Sequence, residues 1–409
     1  MIFVPRTYIE VLKRRDFFVL ILMILFGQLA TAFLILSLIV SVFEKTGSTF
    51  AVSGVILSLT VPAFLLMAVA GLAADIIDRK KIMVVAYSLI AIVVFLILVL
   101  QHSVAASLPL SFLYFAGNTF FIPSSSAATA QLVKKGQFLA ANSIFIFTLS
   151  AALLIGFFFA SFIQFFFGSA TTLVVCLFLL VISIILGLTL PQLKPVTYNH
   201  PSVLKNIQNI ISGFKLIMSS KEVWYFFVIF ALIQGLILFG VTLAPGFFND
   251  IARITIDRSP IIVMPLVGLG VIIGSWFVHK PSMGAGFLVT FGLSIIGLFS
   301  AILGLILKVN LVYTNVILLI AIYLILVGFG AVLTLIASRT AIQQKVPHKN
   351  LGIVFGASMI LTSFMAAVFS TSAAFLEAAF GYINILIYGG LLFLVLSAIY
   401  AYLGNRWKY

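Results

Sequence analysis

The chain has 409 residues, of which 63% are apolar and only 8% are charged. A soluble domain carries about 25% charged residues, so this composition excludes the water-soluble enzyme classes and predicts an integral membrane protein. The single cysteine, Cys176, excludes an internal disulfide, and the four scattered histidines offer no metal-binding pair. The formal charge of +14 would suggest nucleic-acid binding in a soluble chain, so its meaning depends on where the basic residues lie.

Twelve apolar runs, separated by short polar turns, dominate the sequence. A transmembrane helix needs about 20 mostly apolar residues, and every run approaches or exceeds that length. In chain order the predicted spans are residues 17–43, 49–74, 82–100, 107–133, 138–167, 168–190, 223–249, 260–278, 283–307, 311–338, 351–376 and 380–403. The first run follows a basic stretch but is too long for a signal peptide and lacks a small-residue cleavage site, so we expect an uncleaved first helix.

The distribution of basic residues predicts the orientation of these spans. With the amino terminus placed in the cytoplasm, 19 of the 23 lysines and arginines fall in predicted inner segments and four in predicted outer loops. Basic residues accumulate on the cytoplasmic side of membrane proteins. The sequence therefore predicts a multi-pass protein of the plasma (inner) membrane with both termini in the cytoplasm. The +14 charge then reflects topology and attraction to anionic lipids, and no nucleic-acid partner is expected.

The longest polar stretch, residues 191–222, divides the chain into two halves, 1–190 and 223–409. Apolar residues recur in it at helical spacing, which indicates an amphipathic helix on the inner leaflet, with a solvated linker as the alternative. The halves also resemble each other, because Gln28 and Glu44 in the first correspond to Gln234 and Asp250 in the second at one offset. This pattern favours a duplication of two six-helix halves, an architecture found in secondary transporters.

A short motif stands between the second and third runs, where residues 71–81 read GLAADIIDRKK. Gly71, Asp75, Arg79 and Lys80 match the pattern G-x-x-x-D-R-x-G-R-K, whereas Asp78 stands where the pattern has its second glycine. The segment resembles the signature loop of the major facilitator superfamily. The aspartate variant, together with stretches at 123–142 and 344–356, is similar to the macrolide-efflux and siderophore-exporter branch of that superfamily.

The resemblance implies an all-α fold of twelve transmembrane helices in two six-helix bundles, and a role for the motif as a conformational gate. In the family, the carboxylate at the position of Asp75 faces the amino end of the eleventh helix, which here would begin near residue 351. Arg79 would support Asp75 and bridge the halves. The complete predicted gate comprises Gly71, Asp75, Asp78, Arg79 and Lys80. A basic inner loop without a gating role is the alternative.

Polar residues inside the runs are few and, near the middle, uncharged. The candidate substrate cavity comprises Gln28, Thr31, Asn118, Gln234, Tyr323, Thr362 and Ser363. Ordinary hydrogen bonding between helices, worth about 0.6 kcal/mol on average, is the alternative reading of these side chains, and it fits Asn118 well. The candidate coupling residues are Asp75, Glu44, Asp250, Arg339 and Glu377, of which Glu44, Asp250 and Glu377 lie at predicted outer ends.

The leading hypothesis is a secondary active transporter that exports a lipophilic small molecule by alternating access, with coupling to protons left open. The direction of transport follows from the resemblance and not from any residue. A lipid flippase or facilitator on the same fold, without proton coupling, is the alternative. A membrane enzyme would need a nucleophile–base pair, a metal cluster or paired carboxylates at depth, and the sequence offers none. We expect no cofactor, no metal, contact with membrane lipids, and a monomer.

Overall fold

The computed structural model describes residues 6–101, 103–195, 203–256, 258–278, 284–309, 316–346 and 351–407. Within these ranges the regular structure is helical, with no strand. Up to the linker the helices are α1 Arg6–Leu12, α2 Arg15–Thr46, α3 Thr49–Ile76, α4 Arg79–Val99, α5 Val104–Gln131 and α6 Phe138–Thr189. From the linker onward they are α7 Val203–Ser219, α8 Lys221–Gly246, α9 Ser259–Val278, α10 Ala285–Lys308, α11 Val316–Lys345 and α12 Leu351–Trp407.

Ten of the described helices are long and apolar enough to cross a membrane. The prediction of a multi-pass helical membrane protein is therefore confirmed, although two pairs of predicted spans are each joined in one helix. The helix α6 has 52 residues and α12 has 57, which at 1.5 Å per residue correspond to about 78 and 85 Å. A bilayer core is only about 30 Å thick.

Each of these two long helices is interrupted by a glycine with non-helical backbone. Gly168 in α6 has φ of 78°, and Gly381 in α12 has φ of 70°, a left-handed region that residues with a Cβ rarely adopt. Each long helix therefore consists of two helical segments, and the breaks lie at the predicted boundaries between the fifth and sixth and between the eleventh and twelfth runs. If both segments of each long helix cross the membrane, the chain has the predicted twelve spans. The number of spans stays a prediction.

The chain forms two compact units. The first comprises Met1–Lys45 and Ser58–Gln208, and the second comprises Thr46–Leu57 and Asn209–Tyr409. The division falls inside α7, within the predicted linker. The sequence did not indicate that the start of α3 groups with the second unit.

The first unit is organised around α2. The Sγ atom of Cys176 donates to the carbonyl of Ala30 over 3.2 Å, and the Ser183 hydroxyl donates to the carbonyl of Met23 over 3.1 Å. These two pairs show that α2 and the second segment of α6 run antiparallel. A Cβ on Gly187 would lie 2.9 Å from both Met23 and a side chain of α4. Small residues thus let three helices approach closely. Close packing is expected here, because the hydrophobic effect does not drive helices together within lipid.

The helices of the second unit also pack closely through small residues. A Cβ on Gly292 of α10 would lie 2.6 Å from the carbonyl of Gly330 in α11, and one on Gly297 would lie 2.8 Å from the carbonyl of Gly390 in α12. Hydroxyls join the same helices, since Ser294 and Ser397 lie 2.7 Å apart. The backbones therefore pack at distances that only glycine permits.

The helix α7 lies within the polar linker, where the sequence predicts an amphipathic helix. In its described part, Gly213 and Ile217 are buried, whereas Lys215, Leu216 and Met218 are exposed. The helix therefore has one packed face, and its location on the inner leaflet stays a prediction.

Candidate functional site

The motif loop between α3 and α4 is held by Asp78. Its Oδ1 accepts from the backbone N–H of Lys80 at 3.0 Å, which caps the first turn of α4. The same oxygen accepts from the backbone N–H of Leu193, in the first residues of the linker, also at 3.0 Å. Asp78 is buried, whereas Asp75, one turn earlier, is exposed. The two carboxylates of the motif therefore have different environments.

Arg79 extends the connection from this loop to α5 and to the linker. Its backbone N–H donates to the Leu193 carbonyl at 3.2 Å, and its Nη1 donates to Oε1 of Gln131 at 2.7 Å. The Nε2 of Gln131 in turn donates to the carbonyl of Lys194 at 2.7 Å. The loop, the end of α5 and the start of the linker are thus joined in one network. The predicted support of Asp75 by Arg79 stays a prediction, because the Nε of Arg79 donates instead to the Ala74 carbonyl at 3.1 Å.

Lys80 contacts the end of α6. Its ammonium donates to the carbonyl of Leu188 at 2.8 Å and to that of Leu190. The last carbonyls of a helix lack partners and carry partial negative charge, so a cation stabilises them. Gly71, the first residue of the motif, has open space where a Cβ would stand. We call the contacts of Asp78, Arg79, Gln131 and Lys80 with residues 188–194 the linker clasp; the gating role of the motif stays a prediction.

Three of the predicted cavity residues lie together in the first unit. The Thr31 hydroxyl donates to the carbonyl of Gly27 at 3.0 Å and lies 3.0 Å from the hydroxyl of Tyr114 in α5. Since the Thr31 proton is engaged, Tyr114 donates to Thr31. Asn118 follows Tyr114 by one turn of α5, and Gln28 follows Gly27 on α2. Each amide therefore stands about one turn from the pair of hydroxyls along its own helix.

Both amides carry a buried atom without a hydrogen-bond partner among the described residues, Nε2 of Gln28 and Oδ1 of Asn118. Gln28 is only 5% exposed. An unsatisfied buried polar group costs about 1–3 kcal/mol, and interhelical hydrogen bonding would have removed that cost. The role of these two amides in a cavity stays a prediction.

Tyr87 of α4 lies in the same place and was not identified from the sequence. Its hydroxyl is also buried without a hydrogen-bond partner among the described residues. A Cβ on Gly27 would lie 1.9 Å from that hydroxyl, and the ring stacks on Phe121 at a centroid distance of 4.1 Å. The sequence signal that could have identified Tyr87 is a tyrosine within an apolar run, because a buried tyrosine hydroxyl usually needs a hydrogen-bond partner.

The predicted cavity residues of the second unit are not joined by the described hydrogen bonds. Gln234 is half-buried on α8, beside Gly235, where a Cβ would lie 2.6 Å from the ring of Phe369. The Tyr323 hydroxyl accepts from Ser300 at 3.3 Å. Thr362 donates to a carbonyl of its own helix at 3.0 Å, and the adjacent Ser363 is half-buried. Their role in a cavity stays a prediction.

Two of the candidate coupling carboxylates lie near one tyrosine of the second unit. Glu377, half-buried on α12, and Asp250 are both close enough to the Tyr382 hydroxyl to act on it electrostatically. The same hydroxyl lies 3.1 Å from Oγ1 of Thr49, at the start of α3. Asp250 is exposed and accepts from the neighbouring Asn249 at 2.9 Å. Tyr382 was not among the residues identified from the sequence.

Two further coupling candidates stand toward the ends of their helices. Glu44 is exposed near the end of α2. Arg339 is half-buried, about two turns before the end of α11. In the described part of the chain, no group of three histidine, cysteine, aspartate or glutamate residues is placed to hold a metal ion.

Comparisons with known proteins agree with this architecture. The family model described as Major Facilitator Superfamily matches residues 17–371. No curated protein sequence matches the chain. Among solved structures, a mutant of the nucleoside transporter NupG is similar with a TM-score of 0.71 and 14% identity, over 95% of this chain and 99% of that one.

Two further solved structures have the same fold. A POT family transporter in complex with a thioalcohol-conjugated peptide has a TM-score of 0.75 and 13% identity, over 98% of this chain and 99% of that one. A bacterial homolog of the human lysosomal transporter Spinster, in an inward-facing and unoccupied conformation, has a TM-score of 0.72 and 14% identity, over 96% of this chain and 98% of that one. At these identities the similarity shows the fold and not the substrate.

Proposed function

Because this chain belongs to the major facilitator superfamily of membrane transporters, we propose that it exports a lipophilic, neutral or weakly charged small molecule by alternating access. The observation that carries the substrate class is the absence of charged residues from the middle of the described membrane-length helical segments. In the described membrane-length helices, aspartate, glutamate, lysine and arginine stand toward the ends of helical segments. Arg339, about two turns inside α11, lies farthest from a segment end, and Glu377 stands about one turn before the break at Gly381.

The uncharged polar groups of the first unit support the same substrate class. Gln28, Asn118 and Tyr87 hold unsatisfied buried hydrogen-bonding atoms, and none of the three carries a charge. Ligand sites of this composition favour apolar molecules with a few hydrogen-bonding groups. An organic anion would require a cation at the same depth, and a sugar would require many more hydrogen-bonding side chains.

The proposal of outward transport rests on the resemblance of the motif to exporter families. Coupling to protons would need a group that titrates and is reached from both sides of the membrane. The carboxylates available are Asp75 near the end of α3, Glu44 near the end of α2, and the pair Asp250 and Glu377 near Tyr382. The proposal therefore includes proton coupling as a separate step with its own test.

The test is efflux of a fluorescent lipophilic dye from preloaded cells that express the chain, with vector-only cells as the control. We expect faster loss of dye from the expressing cells, and slower loss when a protonophore is added. Uptake of a polar solute, with no export across a broad lipophilic panel, would overturn the export proposal. Export that ignores the protonophore would overturn only the coupling. Movement of a labelled phospholipid between leaflets of proteoliposomes, without dye export, would favour a flippase.

A further inference from the structure

A polar cluster inside the first unit remains unexplained by packing. It consists of Gln28 on α2, Tyr87 on α4 and Asn118 on α5. Each has a buried atom with no hydrogen-bond partner among the described residues: Nε2 of Gln28, Oη of Tyr87 and Oδ1 of Asn118. Gln28 is 5% exposed and Tyr87 is 1% exposed.

The contacts around this cluster place its members at one depth of the bundle. The Thr31–Tyr114 pair fixes α2 beside α5. The helices α2 and α4 run parallel, since Met23 and Val84 both approach Gly187 while Tyr87 approaches Gly27 one turn later. The helix α5 follows α4 after a short turn and runs back along it. The helices α2 and α5 therefore run antiparallel. Asn118, one turn after Tyr114 on α5, lies at the same level as Gly27 and Gln28, about one turn before Thr31 on α2.

Tyr87 is fixed at this level by its neighbours. The hydroxyl lies against the backbone of Gly27, where a Cβ would stand 1.9 Å away, and the ring stacks on Phe121 with an interplanar angle of 16°. A side chain at position 27 would therefore occupy the space that the Tyr87 hydroxyl fills. Because the ring is held on two sides, the hydroxyl is a positioned group and not a mobile one.

The unsatisfied atoms have a definite chemical complement. The Nε2 of Gln28 only donates, the Oδ1 of Asn118 only accepts, and the tyrosine hydroxyl does either. A ligand group that satisfies all three presents an acceptor beside a donor and carries no charge. A carboxylate would place negative charge against the Asn118 oxygen. A cation would meet the Gln28 N–H atoms and no described carboxylate on α4 or α5.

We propose that Gln28, Tyr87 and Asn118 form a recognition site for a neutral amide-type group, such as an amide, lactam or carbamate, on the transported molecule. This inference rests on the proposed export of a lipophilic small molecule and names the polar group that such a molecule carries. The ligand amide accepts from Gln28 and donates to Asn118, and Tyr87 contributes the third hydrogen bond. The apolar remainder of the ligand contacts the surrounding aliphatic and aromatic side chains.

The experiment compares three nearly isosteric probes with the full chain in lipid nanodiscs. N-benzylbenzamide has the donor and the acceptor, whereas N-benzyl-N-methylbenzamide and benzyl benzoate lack the N–H. Binding of each radiolabelled probe is measured by equilibrium dialysis against empty nanodiscs, which corrects for partition into lipid. We expect the wild-type chain to bind the secondary amide about tenfold more tightly than either analogue, the effect of one buried hydrogen bond. Equal binding of the three probes would overturn the proposal and needs no variant.

Variants then assign the preference to the named residues. Asn118→Leu should remove the preference for the amide while leaving the weak binding of the ester. Gln28→Leu should weaken all three probes severalfold, because each keeps the carbonyl that accepts from Gln28, and Tyr87→Phe should weaken binding of the amide severalfold. Gln164→Leu is the matched control, because Gln164 is a buried amide of the same unit that also has one unsatisfied buried atom, its Oε1, but stands on α6 near the break at Gly168, where its Nε2 donates to Ser169 at 2.7 Å. A preference that persists in Asn118→Leu, unchanged binding of all probes in Gln28→Leu, or a preference that disappears in Gln164→Leu would overturn the assignment.

The two proposals fail in different ways. An amide preference in nanodiscs without any export of dye from cells would leave the recognition site intact and overturn the export function. Export of dye by a chain that binds the three probes equally would leave the function intact and overturn the site.

Discussion

Replacing Asp78 by alanine is expected to release the start of the linker from the first unit. One oxygen of this buried carboxylate accepts from two backbone N–H groups, those of Lys80 and Leu193, both at 3.0 Å. The first bond caps α4, and the second fixes the linker. The alanine side chain accepts neither bond, so both N–H groups lose their acceptor.

The magnitude follows from the two bonds separately. Loss of an N-cap side chain costs about 1 kcal/mol. Leu193 is 2% exposed, and a hydrogen bond to a charged acceptor contributes about 1.5–3 kcal/mol. The expected loss of stability in this region is therefore roughly 2–4 kcal/mol. The share that belongs to the linker alone corresponds to an increase in local opening of about 10- to 100-fold.

Hydrogen–deuterium exchange measures this opening directly. The segment from Pro191 to Pro195 has only three exchangeable amides, because proline has no N–H, so its exchange reports on Gln192, Leu193 and Lys194. In purified Asp78→Ala, exchange of this segment should be about 10- to 100-fold faster than in the wild-type chain. Segments in the middle of α2 should be unchanged.

Two further variants test the reasoning. Asp78→Asn keeps an oxygen acceptor and a good N-cap residue but loses the charge, so about half of the effect should remain. Asp75→Ala removes an exposed carboxylate one turn away in the same motif, and its exchange should match the wild type. Unchanged exchange in Asp78→Ala, or equal acceleration in Asp75→Ala, would refute the assignment of the linker clasp to Asp78.

Three other outcomes are expected. In a variant without the native cysteine, cysteines at Ser48 and Lys308 should react with a membrane-impermeant thiol reagent added outside, and one at Gln137 should not; the reverse pattern would contradict the predicted topology. Asp75→Asn should fold with a normal melting temperature but reduce dye efflux several-fold, and normal efflux would remove the gate assignment. Tyr382→Phe should lower the thermal stability by about 1 kcal/mol or less through loss of its bond to the start of α3, and a change above that range would indicate a larger role for the hydroxyl.

The sequence alone determined the class of protein and most helices. Length and continuity of the apolar runs are sufficient for this, because every backbone group inside a bilayer must be paired within a helix. The run 49–74 corresponds to α3 Thr49–Ile76, and the run 260–278 corresponds to α9 Ser259–Val278. Pattern also indicated the motif loop and the helix in the linker.

The sequence did not determine where two pairs of helices join or which carboxylate of the motif is buried. Gly168 and Gly381 interrupt α6 and α12 through a positive φ, which an apolar run does not indicate. Asp75 and Asp78 stand three positions apart in the same motif, and the motif gives no sign of their different environments. Only the approach of Leu193 to the loop makes Asp78 the buried one.

The recognition site was only half visible in the sequence. Gln28 and Asn118 were identified because an amide is conspicuous in an apolar run. Tyr87 was not, because a tyrosine in a membrane helix looks the same whether its ring faces lipid or a neighbouring helix. The absent side chain of Gly27, on another helix, decides that its hydroxyl is buried. The composition of a segment is enough to predict that it forms a membrane-spanning helix. The contacts of a single side chain depend instead on close packing between helices that are far apart in the chain, and no local sequence pattern indicates that packing.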